Sequence, residues 1–289
     1  KKKKKGEKDT AIGTNKGLFL YYGGDFFDIT PLDTAITGAT FTVTSGSATV
    51  TVNKTSHGLI NGEYITFTGV TIPTNSGYST KTDNTFEVLN SQSGTFQITM
   101  PSNSAGASSA TGAATINPYI TVGPAVQTPG YGWGTSTWGA STWNTPRSTS
   151  NVILDPGQWS LDNFGEVLIA TISNGKTFTW NAGATSARTV RASTSTSGFS
   201  TSANPTASRF TLVSDRDRHV FHFGTETTIG STGTQDPMFI RFSDQENLND
   251  YTPTATNTSG TFRLDTGNEI RGAVQGKDYT LVLTDSAAY

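Results

Sequence analysis

The feature that most constrains this fold is a set of paired alternating segments, each pair joined by a short turn. The pairs are residues 18–22 with 25–29, 167–172 with 176–180, 210–213 with 219–223, and 269–274 with 278–284. Asn174 and Gly175 form the strongest turn signal, because both central residues of a type I′ turn need positive φ. These pairs predict antiparallel β-hairpins.

The spacing of the hairpins favours a propeller. Their turns near residues 175, 217 and 276 are separated by roughly 42 and 59 residues, close to the ~40 to 50 residues of a propeller blade with loop insertions. A sandwich would have turns every ~8 to 12 residues along one pair of sheets. We therefore predict an all-β protein, a β-propeller whose last blade lacks its outer strands.

Residues 34–119 have a different sequence pattern from the rest of the chain. Five short segments alternate between apolar and polar residues, namely 39–44, 48–52, 64–67, 85–89 and 95–99. Such alternation is typical of half-buried strands, and five of them suffice for a small barrel. The predicted organisation is a flexible or artefactual basic tail (1–10), a first propeller hairpin (11–33), an inserted β-barrel-like module (34–119), and further blades (120–289).

Composition excludes several classes of function. The net charge of −2 leaves no basic surface for gripping nucleic acid, although DNA can pass without being held. With no cysteine, the chain has no disulfides, zinc-thiolate sites or thiol nucleophiles. No apolar run approaches the length of a membrane span.

The three histidines are interpreted as structural. His219 and His222 are three positions apart on a predicted strand, so their side chains face opposite ways and cannot share a metal. We expect His219 to lie on the same face as Phe221. We expect the imidazole of His57 to bond the backbone of the turn that follows it.

The densest polar cluster, residues 243–250, allows two interpretations. Asp244, Glu246, Asn249 and Asp250 could supply oxygen ligands to calcium, but the glycine and distal glutamate of an EF-hand loop are missing. A loop of Asx-turns is the more frequent outcome for such residues. We predict no metal, no cofactor and no catalytic residue, and therefore a protein that is not an enzyme.

Five residues are candidates for contacts between subunits. Trp133, Trp138 and Trp143 recur every five residues, a spacing that suits neither one face of a helix nor one face of a strand. They would spread aromatic surface over a neighbouring protein or stack on sugar rings. Arg216 and Arg218 alternate with aspartates in a charged turn, which is either a solvated tip or a surface that pairs with carboxylates of a neighbour.

Several segments resemble the tail nozzle and packaged-DNA-stabilisation proteins of short-tailed bacteriophages. They are residues 11–20, 28–31, 238–247, 250–254, 260–264, 268–273 and 281–289, together with the Gly-Trp-Gly ribbon. The resemblance implies a propeller subunit of the virion, six copies of which form a ring below the portal. The ring would contact the tail adaptor above it and tail fibres beside it. It would extend the DNA channel and help to retain the packaged genome.

Two other classes of function stay open. The first is a receptor- or glycan-binding tail protein, in which the tryptophans stack on sugars. The second is an enzyme that acts on surface polysaccharide, which would need two carboxylates facing each other in a central pocket.

Overall fold

The protein is all-β, as predicted. The computed structural model describes residues 9–69, 85–106, 108–123, 156–184, 188, 190–194, 203–277 and 279–289. Across these ranges one short 3-10 helix, Thr232–Thr234, accompanies the strands, and no helix has the length and apolarity to cross a membrane. The strands in chain order are β1 (Thr10–Thr14), β2 (Gly17–Tyr22), β3 (Asp25–Asp28), β4 (Ile36–Val43), β5 (Thr49–Asn53), β6 (Tyr64–Thr68), β7 (Thr85–Glu87), β8 (Thr95–Thr99), β9 (Ser108–Pro118), β10 (Trp159–Phe164), β11 (Val167–Ile172), β12 (Thr177–Asn181), β13 (Phe210–Val213), β14 (Val220–Phe223), β15 (Phe239–Phe242), β16 (Gly260–Arg263), β17 (Ile270–Gln275) and β18 (Thr280–Thr284).

The chain divides into two compact units. One contains the residues up to 29 and those from 122 onward, and the other contains residues 30–121. We call the first the propeller unit and the second the barrel module. The module extends slightly beyond the sequence-based limits of 34 and 119, because Leu32 and Tyr119 form a β-bridge within it.

The described part of the propeller unit consists of four antiparallel sheets. Their strand orders are β1-β2-β3, β10-β11-β12, β13-β14-β15-β16 and β17-β18, so each sheet follows the chain order. The first strands of successive sheets are neighbours, β1 with β10, β10 with β13, and β13 with β17. Successive sheets gathered at their first strands are the blades of a propeller. The predicted fold class is confirmed, and we number the sheets blades 1 to 4.

Apolar side chains fill the spaces between the blades. The core between blades 2 and 3 contains Phe164, Ile169, Val213, Val220, Leu248 and Tyr251. The core between blades 3 and 4 contains Phe223, Met238, Ile240, Leu264, Ile270 and Val282. Side chains alternate between the two faces of a strand. Each blade therefore packs one face against each of its neighbouring blades.

The predicted hairpins are all present, but one turn differs in type. Gly23 and Gly24 have φ of 62° and 100° and link Tyr22 to its partner Asp25, as a two-residue turn with positive φ requires. At the turn between β11 and β12, where the sequence has Asn174 and Gly175, only Asn174 has positive φ, 57°. The type I′ prediction there is wrong, because β11 ends at Ile172 and β12 begins at Thr177, which leaves a longer loop.

The barrel module is a six-stranded sheet that nearly closes on itself. Its strand order is β7-β6-β9-β4-β5-β8. Leu89, just beyond β7, exchanges backbone hydrogen bonds of 2.9 and 2.7 Å with Gln97 of β8, which brings the two edges together. The five predicted strands correspond to β4–β8. The sequence missed β9, which lies between β6 and β4, because it is built largely from Ala, Gly, Ser and Thr and shows little alternation.

Candidate functional site

The three tryptophans predicted to contact a neighbouring subunit, Trp133, Trp138 and Trp143, lie outside the described residues. Arg216 is exposed on the turn between β13 and β14. Its predicted role in subunit contacts stays a prediction.

Arg218 is engaged within its own chain. Its guanidinium carbon lies 4.3 Å from the centroid of the Phe164 ring, and its Nη1 lies 3.1 Å from Oε2 of Glu246. The residue has a φ of 50°, in the left-handed region. Arg218 therefore joins the blade 3 turn to blade 2, and a further role between subunits stays a prediction.

Two of the histidines serve local structure. Nδ1 of His57 accepts a hydrogen bond of 3.1 Å from the amide of Leu59, so Nε2 carries the proton and donates to the carbonyl of Gln92 at 2.7 Å. The predicted bond to the following turn is confirmed. His219 packs edge-on against Phe221, on the face expected from the sequence, and bonds the carbonyl of Ser243 at 2.8 Å.

The polar loop 243–250 is held by side-chain hydrogen bonds, including an Asx-turn at Asn247. The carboxylate of Asp244 accepts hydrogen bonds from the hydroxyl and the amide of Thr258 at 2.6 and 2.8 Å, and these bonds hold its pKa below the usual value. The side chain of Asn247 accepts from the amide of Asn249 at 2.9 Å. Across the described ranges, no group of three or more His, Cys, Asp or Glu residues is placed to hold a metal ion.

A polar network is buried inside the third blade. The ring of His222 is fully buried, with Nδ1 2.8 Å from Oγ of Ser208 and Nε2 3.2 Å from the hydroxyl of Tyr251. Burial, and then the nearby charge of Arg241, lower the pKa of His222 to about 3. The imidazole is therefore neutral at ordinary pH. A serine-histidine pair of this kind can serve nucleophilic catalysis only where substrate reaches it, and neither Ser208 nor His222 is exposed.

Two buried charged residues, Arg241 and Glu226, continue this network. The guanidinium of Arg241 donates to the carbonyls of Thr227 and Tyr251 at 2.8 and 3.0 Å. The carboxylate of Glu226, also fully buried, accepts from the amide and the hydroxyl of Thr206 at 2.8 Å each and from the amide of Gly230 at 2.6 Å. These bonds offset much of the cost of burying the two charges, although the Nε of Arg241 is buried without a hydrogen-bond partner. We assign the network to the architecture of blade 3.

The best candidate for a functional site is a cleft of about 490 Å³ beside the first strands of blades 2, 3 and 4. We call it the arginine cleft. Its lining residues are Pro156, Gln158, Trp159, Ser160, Ser173, Arg209, Phe210, Arg271, Gly272 and Ala273. Its volume lies within the range of small-molecule sites, roughly 300 to 1,000 Å³.

An ion-paired triad gives the arginine cleft its charge. Glu269 lies between Arg209 and Arg271, with one carboxylate oxygen bound to each guanidinium. Two positive groups and one negative group leave a net charge of +1. The side chains of Arg209 and Glu269 are 18% and 22% exposed, whereas that of Arg271 is 59% exposed. The inner pair is largely buried, whereas much of the Arg271 side chain is exposed to solvent.

Aromatic and hydroxyl groups form the other walls of the cleft. The indole N–H of Trp159 donates to the carbonyl of Thr14 at 2.9 Å, which holds the ring in place between blades 1 and 2. Ser160 both donates to and accepts from the backbone of Thr211, at 2.8 and 3.2 Å. The cleft thus combines a rigid aromatic wall with a positive rim.

Sequence reasoning did not find the arginine cleft. Arg209 and Glu269 are separated by 60 positions. Arg209 precedes, and Glu269 begins, a segment identified only as a strand. No local motif links them, because their meeting depends on the radial packing of blades 3 and 4.

Comparisons with known proteins add little to this site. No protein-family model matches the sequence, and no curated protein matches it. Among solved structures, the chain is similar to a protein described as the Phage phi92 endosialidase, with 14% sequence identity and a TM-score of 0.25. The match covers 96% of this chain and 40% of the other. A likeness this weak carries no conclusion about activity.

Proposed function

We propose that this chain is a structural protein of a short-tailed phage, which assembles through its propeller unit into a ring around the DNA channel of the tail. The sequence resemblance described above supports this function. The structural observation that carries it is a pair of exposed apolar faces, one on blade 1 and one on blade 4.

The exposed face of blade 1 is aromatic. Tyr21 and Phe26 are cross-strand partners with ring centroids 5.1 Å apart, and they are 42% and 67% exposed. Ile12 lies on the same face and is 38% exposed. The opposite face, with Leu18 and Leu20, is buried. A sheet that buries one face and leaves aromatic residues on the other is a candidate for protein contacts.

The exposed face of blade 4 is aliphatic. Val274 and Leu283 lie on one face of the β17-β18 sheet and are 55% and 41% exposed. Val282, on the other face, is buried in the core shared with blade 3. The two exposed faces are therefore different surfaces, one on blade 1 and one on blade 4.

Contact between two different surfaces is heterologous, and heterologous contacts close into rings when the rotation between copies permits. A copy whose blade 4 packs against blade 1 of the next would bury both apolar faces. The near-neutral chain suits a channel, because DNA can pass without being trapped at each phosphate.

The test is the assembly state of two complementary variants. Phe26→Arg blocks the blade 1 face and Val274→Arg blocks the blade 4 face, while each variant keeps the other face intact. We expect light scattering after size exclusion to give a closed oligomer for the wild type and monomers for each variant. An equimolar mixture of the variants should form only dimers, because one good interface remains and no ring can close.

Ile60→Arg is the matched control, since Ile60 is 62% exposed on the barrel module, and it should leave the ring intact. A monomeric wild type, or variants that assemble normally, would contradict the proposed interface. Electron cryomicroscopy of the particle tests the function itself. A ring on the tail axis would support it, and a peripheral fibre position would favour the receptor-binding alternative.

A further inference from the structure

The arginine cleft has a composition that ring assembly does not explain. It is concave, it carries one net positive charge, and its walls combine Trp159 and Phe210 with the polar side chains of Gln158 and Ser173. Its concave shape adds to this composition, and a concave site with a few placed polar groups can orient a small polar ligand.

The positive charge of the cleft favours an anion, and its guanidinium groups favour one with planar geometry. A guanidinium presents its N–H groups as a rigid fork that matches the two oxygens of a carboxylate. Arg271 is held from one side by Glu269 and is 59% exposed on the other. It can therefore bind a ligand carboxylate with its outer edge, while Glu269 keeps the guanidinium oriented.

The remaining walls select a ring that carries hydroxyl groups. An indole face packs against the C–H groups of a sugar ring, and hydroxyl and amide side chains bond its hydroxyls. The indole of Trp159 is fixed by its bond to Thr14, so this wall is formed before a ligand arrives. A DNA duplex offers its phosphates on a convex surface, which fits a concave site of about 490 Å³ poorly.

We propose that the arginine cleft binds a saccharide unit that bears a carboxylate, such as a hexuronic acid. Its carboxylate pairs with Arg271, and its ring packs along Trp159. Binding involves no covalent step. Every lining residue named belongs to a single propeller unit, so the site needs no residue from a second copy.

The experiment is a titration of the full chain with glucuronate, followed by calorimetry or by saturation-transfer NMR. Glucose has the same ring without the carboxylate, and acetate has the carboxylate without the ring. We expect saturable binding of glucuronate and at least about ten-fold weaker binding of both controls. Equal binding of glucose, or equal binding of acetate or inorganic phosphate, would overturn the proposal.

Substitutions in the cleft test whether glucuronate binds there. Arg271→Gln should weaken glucuronate binding by about ten-fold or more, because it removes a charge-assisted pair. Arg263→Gln is the matched control, since Arg263 is also 59% exposed and ion-paired, here with Asp236 on blade 3, and it should bind normally.

Gly272→Val tests the same cleft without removing any charge. No atom lies within 4 Å of the position that a Cβ would take at Gly272, so a larger side chain fits the fold and projects into open space. It should obstruct glucuronate while the unfolding transition stays unchanged. Unaltered affinity in both Arg271→Gln and Gly272→Val would place the saccharide elsewhere and overturn the assignment.

Discussion

At the scale of single residues, His222 makes stability depend on pH. Its pKa falls from 6.5 to about 3 in the folded protein, first through burial and second through Arg241. Between these two values the unfolded chain binds a proton and the folded chain does not. The contribution to stability is therefore complete above pH 6.5 and is lost as the pH falls toward 3.

We expect replacement by glutamine, His222→Gln, to remove this pH dependence. The wild type should lose up to about 1.4 kcal/mol of unfolding free energy per pH unit below pH 6.5 through this one group. Urea unfolding at several pH values between 4 and 7 measures the difference in slope between the two proteins. Carboxylates titrate in both and cancel in the comparison. Parallel pH profiles would show that the imidazole is not the group responsible.

At the scale of secondary-structure elements, blades 1 and 2 meet where a glycine faces a tryptophan. A Cβ on Gly13 of β1 would lie 2.6 Å from atoms of the Trp159 side chain on β10, closer than packed atoms approach. The indole also bonds the carbonyl of Thr14. The absence of a side chain at Gly13 thus lets the two first strands approach.

Gly13→Ala should therefore destabilise the propeller unit by about 1 to 3 kcal/mol, the usual cost of overpacking. All five tryptophans of the chain lie outside residues 30–121, so the fluorescence change during urea unfolding reports on the propeller unit alone. Gly233→Ala is the control, because a Cβ there meets nothing within 4 Å, and its effect should stay within about 0.5 kcal/mol. Equal midpoints for the two variants would disprove the packing argument.

The hairpins show which elements a sequence reveals. Gly23 and Gly24 marked a turn whose geometry depends on those two residues alone, and alternation located β4–β8. The short strands β15 and β16 were not predicted as strands. Each has four residues and forms its backbone hydrogen bonds with the preceding strand of blade 3. The arginine cleft was missed for a similar reason, since Arg209 and Arg271 meet only after blades 3 and 4 have packed. Turns and alternating strands can be predicted from neighbouring residues, whereas the packing of one blade against the next cannot.

At the scale of the whole molecule, the barrel module has the features of an independently folding insertion. The chain segments that enter and leave it run side by side. The amide of Asp33 donates to the carbonyl of Pro118 at 2.8 Å, and the amide of Ile120 donates to the carbonyl of Pro31 at 3.0 Å. Its core is its own, with Val52, Ile65 and Phe96 fully buried among residues of the same sheet.

We therefore expect residues 30–121 to fold when produced alone, with a dispersed amide NMR spectrum and cooperative thermal unfolding. Phe96→Ala in this fragment should cost about 3 to 5 kcal/mol, because it opens a cavity in the core, whereas Ile60→Ala at an exposed site should cost little. The complementary chain, with the module replaced by a short Gly/Ser linker, should keep the tryptophan emission of the propeller unit, since the module holds no tryptophan. A collapsed spectrum of the fragment, or a shifted emission of the linker variant, would mean that each unit needs the other to fold.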